Sequence, residues 1–149
     1  MKKYFMMAAL MCMGALCLTS CGDDDKDDID DIIDDIEQGT IKPTTKFEEK
    51  GNQMILTVTW KNVDTQVQTA TFQNDLCVSY IVKDTYASTK LADEAWKEVQ
   101  KDKDYAEYCT RDGKTITQDL TEDFKDLPKQ VLRGVMQNMA QEMERGNTK

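Results

Sequence analysis

The stretch QMILTVTW at residues 53–60 alternates strictly, with Leu56, Val58 and Trp60 on one side and Ile55, Thr57 and Thr59 on the other. A period of two predicts a strand with one buried face. A Lys50-Gly51-Asn52 turn precedes it, after a TIKPTTK stretch around Pro43 that reads as linker. A weaker strand covers 66–72, a turn falls at Gln73-Asn74-Asp75, and a longer strand covers 76–86 with Leu76, Val78, Tyr80 and Val82 as its apolar face. The period then changes. Leu91, Ala92, Ala95, Trp96 and Val99 recur at helical spacing, and Ser88 or Thr89 is placed to cap a helix over 89–101.

Residues 105–120 read as a hairpin turning at Asp112-Gly113, which pairs Cys109 with Ile116 and Tyr105 with Leu120. Thr121 caps a short helical turn, and Pro128 suits the first turn of a longer helix ending near Gly146. Its stripe is Val131, Leu132, Val135, Met136, Met139 and Met143, interrupted by Gly134. Strands come early, helices follow, and the apolar faces are one-sided. The expected fold class is α+β, an antiparallel sheet of four to six strands with two helices packed on one face.

The first forty residues follow other rules. Lys2 and Lys3 precede an apolar run from Tyr4 to Leu18, the layout of a secretory signal. That run is shorter than the ~20 residues a membrane-spanning helix needs. Residues 22–37 then hold ten acids and one lysine, whereas residues 38–149 hold 18 acids and 16 bases. The acidity of the chain therefore belongs to a tether, and its crowded charges, well inside a screening length of about 8 Å, keep it extended. Within it Ile29, Ile32, Ile33 and Ile36 form one helical stripe. A helix this short is marginal alone, so the stripe needs a surface, on its own domain or on a partner.

Leu18-Thr19-Ser20-Cys21 resembles the lipobox of bacterial lipoproteins. The resemblance implies cleavage after Ser20, thioether lipidation of Cys21 and acylation of the new amino terminus. Cys21-Gly22-Asp23-Asp24-Asp25 resembles the acidic export signal of Bacteroidota surface lipoproteins, with Gly22 where serine is common. This implies an outer-membrane or cell-surface location with Asp23, Asp24 and Asp25 as sorting residues; a solvated spacer is the alternative. The expected organisation is a signal peptide at 1–20, an acidic tether at 21–42 and one α+β domain at 43–149.

Secretion leaves Cys77 and Cys109 as the domain's thiols in an oxidising compartment, which favours a disulfide over two buried free thiols. The chain has no histidine, which removes Ser-His and Cys-His catalysis and histidine metal ligation. It shows no glycine-rich phosphate loop, EF-hand pattern or basic cluster, so neither a cofactor, a metal nor a nucleic acid is expected. Without histidine or a strongly shifted carboxylate, stability should stay level between about pH 5.5 and 8. Trp60 and Tyr86 are the candidate ligand contacts, as rings able to stack on a sugar. The expected role is a membrane-anchored, non-enzymatic protein-binding module; a small glycan- or ligand-binding accessory lipoprotein is the alternative. A carboxylate-pair hydrolase would need two facing acids about 5–9.5 Å apart.

Overall fold

A computed structural model describes residues 42–145. Cys21, the sorting residues Asp23, Asp24 and Asp25, and the Ile29–Ile36 stripe all lie outside the described residues. The fold is α+β, as the patterning implied. Four strands run as a meander, β1 (Thr44–Lys50), β2 (Gln53–Trp60), β3 (Asp64–Gln73) and β4 (Leu76–Tyr86). Helix α1 (Thr89–Lys101) and a short turn α2 (Lys103–Ala106) lead to the hairpin β5 (Cys109–Asp112) and β6 (Thr115–Asp119). Helices α3 (Thr121–Phe124) and α4 (Lys129–Arg145) follow. The sheet order is β1-β2-β3-β4-β6-β5, antiparallel throughout.

Local chemistry explains the turns. Asn74 and Asp75 both take positive φ, 52° and 62°, which matches a type I′ turn between β3 and β4. Gly51 (φ 58°) and Gly113 (φ 57°) each stand first in a two-residue loop, the position where a type II′ turn requires glycine. This corrects the expected register of the last hairpin. Asp112 pairs with Thr115 rather than lying within the turn, so Cys109 faces Gln118 instead of Ile116. Tyr105 is not in a strand at all: Asp102 accepts a hydrogen bond from its backbone N–H (3.1 Å) and caps α2. The linker reading of Thr44-Thr45-Lys46 also gives way, since these residues open β1 and pair with Thr59, Val58 and Thr57.

The helices cover one face. Ser88 caps α1, its Oγ accepting from the N–H of Leu91 at 3.2 Å, and Leu91, Ala92, Ala95 and Val99 are buried. Helix α4 buries Leu132, Met136, Met139 and Met143 and is tied to β1 at both ends, by Arg133–Glu49 and by Thr45–Glu144. Val131, expected in that stripe, is instead exposed. Across the sheet, Arg111 on β5 pairs with Asp93 on α1. Between them Met54, Leu56, Val58, Ala70, Phe72, Tyr80, Val82 and Ile116 form one continuous core with the helices.

A bulge in β4 overturns two further expectations. Thr71 pairs with Ser79 but Phe72 pairs with Cys77, so Val78 is the extra residue and the face alternation reverses there. Cys77 is thereby buried beside Phe72, while Leu76 and Val78 are exposed. The disulfide expected between Cys77 and Cys109 does not form: both thiols are free. Strand β6 separates β4 from β5, which sets their backbones about 10 Å apart, beyond the roughly 7 Å limit for a bridge. Cys109 is also level with Gln118 and Val82, well along the strand from Cys77.

Candidate functional site

The covered face carries an unexpected chain of polar side chains. In β3 the core-facing positions are Asp64, Gln66, Gln68, Ala70 and Phe72, all buried, and the first three are polar. Tyr80 Oη donates to Gln68 Oε1 (2.6 Å), Gln68 Nε2 to Gln66 Oε1 (2.7 Å), and Gln66 Nε2 to Asp84 Oδ1 (2.8 Å). Gln118 Nε2 donates to the other carboxylate oxygen, Oδ2, at 3.2 Å. The bonds run head to tail and end on Asp84, so each polarises the next. Asp84 is 0% exposed. Burial pushes its carboxyl up to about 7, against the opposing pull of the Gln66 hydrogen bond. The level-pH expectation is corrected here, because one buried acid titrates inside that window.

Burial also raises both cysteines, Cys109 to about 11, where a Tyr105 hydrogen bond opposes the rise and the Asp84 charge adds to it. Neither is an activated nucleophile. Trp60 and Tyr86 meet at one level of the sheet, Trp60 opposite Asp64 and Asp64 opposite Tyr86. They are 5% and 4% exposed, so neither offers a ring face for stacking on a sugar, and both serve as core. Among the described residues no group of three acids or cysteines could hold a metal ion, and no helix is long and apolar enough to cross a membrane.

The other face of the sheet has none of the described helices over it. Pairing builds it row by row. The first row is Thr44, Thr59, Thr65, Thr85 and Thr115; the second is Lys46, Thr57, Val67, Lys83 and Thr117. The third is Glu48, Ile55, Thr69, Ile81 and Asp119. Neighbours across a row stand about 4.8 Å apart and successive rows about 7 Å. Thr85 and Thr115 hydroxyls meet at 3.2 Å, one rung of the ladder. Ile55, Val67 and Ile81 are half-buried by these neighbours and lie together at the centre, Val67 diagonal to both isoleucines. Lys46 and Lys50 share Glu48 at 3.0 and 3.6 Å on the β1 edge.

Sequence reasoning named Ile55, Thr57 and Thr59 as one side of β2 but did not join them to Val67 and Ile81, because that needs the strand order. It assigns no role to Gln66, Gln68 or Gln118 and reads Asp84 as part of a polar rim at 83–86, whereas all four are buried. The available signal was parity: Gln66 and Gln68 share a face with Ala70 and Phe72, and Asp84 shares one with Tyr80 and Val82. No protein-family model, no curated protein and no solved structure matches this chain.

Proposed function

We propose that the chain is a lipid-anchored, surface-exposed lipoprotein whose α+β domain binds a protein partner through the uncovered face of its sheet. The observation that carries the reading is the Ile55–Val67–Ile81 array, set in rows of threonine on a face with no described helix over it. A broad, shallow surface of β-branched side chains suits another protein, since contiguous apolar surface outside the core commonly marks a contact site. The glycan reading loses Trp60 and Tyr86, which are sealed in the core. A non-enzymatic role fits Asp84: its raised carboxyl is sealed where no substrate reaches it. Anchoring rests on Cys21 in Leu18-Thr19-Ser20-Cys21, and outward sorting on Asp23, Asp24 and Asp25.

Two experiments test this. Cys21→Ala should release the protein from membranes or block its maturation; unchanged membrane fractionation would remove the anchor. A photo-crosslinking amino acid at Ile81 of the lipidated chain, irradiated on intact cells, should yield a discrete heavier adduct. The same group at exposed Val131 should not. An adduct at Val131 and none at Ile81 would overturn the assignment of the face.

A further inference from the structure

We infer that the open face is also the seat of the chain's own acidic amphipathic segment, residues 29–36, which covers Ile55, Val67 and Ile81 until a protein partner displaces it. This rests on the reading of that face as a contact surface. The segment carries Ile29, Ile32, Ile33 and Ile36 on one helical stripe and acids nearly everywhere else. As a helix it is marginal in isolation, and it needs an apolar surface of matching size. From Ile29 to Ile36 such a helix rises about 10 Å. Ile55 and Ile81 flank β3 two strand spacings apart, also about 10 Å.

Reach permits this seat. Seven residues separate Ile36 from Thr44 at the start of β1, and the eight extended steps span at most about 27 Å. Thr44 lies in the first row of the open face, so Val67 is about 12 Å away and Ile81 about 20 Å by strand spacing and rise. Leu76, at the opposite end of the sheet, is about 31 Å from Thr44 by the same geometry, beyond that span. Lys46 and Lys83 stand at the two sides of the Thr57–Val67 row, whereas Glu48 and Asp119 bound the next row. With the isoleucines on the sheet, Asp30 and Asp34 fall on one flank of the helix and Asp31 and Asp35 on the other, so the flank beside the lysine row is attracted to it.

The test uses the full mature chain with a photo-crosslinking amino acid in place of Ile33. Irradiation of the monomer should join position 33 to peptides of β2, β3 or β4 that carry Ile55, Val67 or Ile81. Val67→Asp should lower that yield several-fold with the far-ultraviolet circular dichroism unchanged, and Ile32→Asp, outside the described residues, should lower it as well. Bonds into α1 or α4, bonds between two copies, no bond at all, or a yield indifferent to both substitutions would overturn the inference. The two readings separate cleanly. A partner adduct at Ile81 on cells without an intramolecular bond from position 33 removes the self-docking alone. An intramolecular bond without any partner adduct removes the partner and leaves the seat.

Discussion

Leu56 and Ile55 are neighbours on β2, yet Leu56 lies sealed beneath the helices while Ile55 faces away from them among threonines. The same contrast repeats on β3 between Gln66 and Val67, with polarity reversed: the buried side chain is the amide and the open one the aliphatic. One face of this sheet holds the fold and accepts Gln66, Gln68 and Asp84 because they are hydrogen-bonded to one another, to Tyr80 and to Gln118. The other holds little of the fold and keeps its apolar groups in reach of solvent. Hydrophobicity alone therefore does not tell inside from outside here; the hydrogen-bond partners do.

Truncation measures the contrast most strongly. Leu56→Ala should cost about 2–5 kcal/mol by leaving a cavity under the helices. Ile55→Ala, one residue away, should cost about 1 kcal/mol or less, since its surroundings are partly solvent. Equal losses in urea unfolding would mean that the open face is packed against something that stabilises the domain.

The next effect comes from pH. The folded carboxyl of Asp84 is raised from 3.8 to about 7, so the folded state holds a proton that the unfolded state gives up. Stability should be greatest below that window, fall as pH rises from about 4 through about 7, and level off above, with a total fall of roughly 4 kcal/mol at most. Glu48 and Glu49 are held low by Lys46 and Arg133, the opposite direction, and their contribution is lost only as pH falls below the ordinary carboxylate range. Asp84→Asn should flatten the slope. Its carbonyl keeps the Gln66 bond, and the Gln118 amide can turn to accept from the new NH₂. Denaturation at pH 5 and 8 checks both; a level curve for the unsubstituted protein contradicts the assignment.

Tyr80→Phe should cost about 1–3 kcal/mol, because it leaves the Gln68 carbonyl oxygen without its Oη donor in a dry site. Smallest in energy is the thiol test. Cys77 and Cys109 should both stay unalkylated in the native protein, being buried with raised thiols, and both should react after denaturation. A mass two hydrogens lighter before reduction would restore the bridge and contradict the strand order.

Much of the covered face was legible in the sequence, and the reasons are local. Strand β2 announces itself by strict alternation, and α1 by its stripe and its Ser88 cap. What escaped depends on partners distant in sequence or on a single turn. Gly113 alone takes positive φ in its loop, which moves the hairpin register by two residues. The bulge at Val78 exchanges Cys77 for Leu76 on the buried side, and nothing in LCVSYIVK marks it. Gln66 and Gln68 made β3 read as weak, because amides on a core face look like a solvated strand until Tyr80, Asp84 and Gln118 arrive beside them. The open face escaped for the same reason: Ile55, Val67 and Ile81 are one surface only once three strands are in order.

Lysine at Val67 in the lipidated chain tests the division of labour between the faces most directly. The expected protein stays attached to membranes and unfolds cooperatively within about 2 kcal/mol of the unsubstituted chain, because the long stem lets the new ammonium turn away from Lys83 opposite it. Its partner adduct from a photo-crosslinker at Ile81 should disappear. A domain that no longer folds, or an adduct that survives unchanged, would contradict the account.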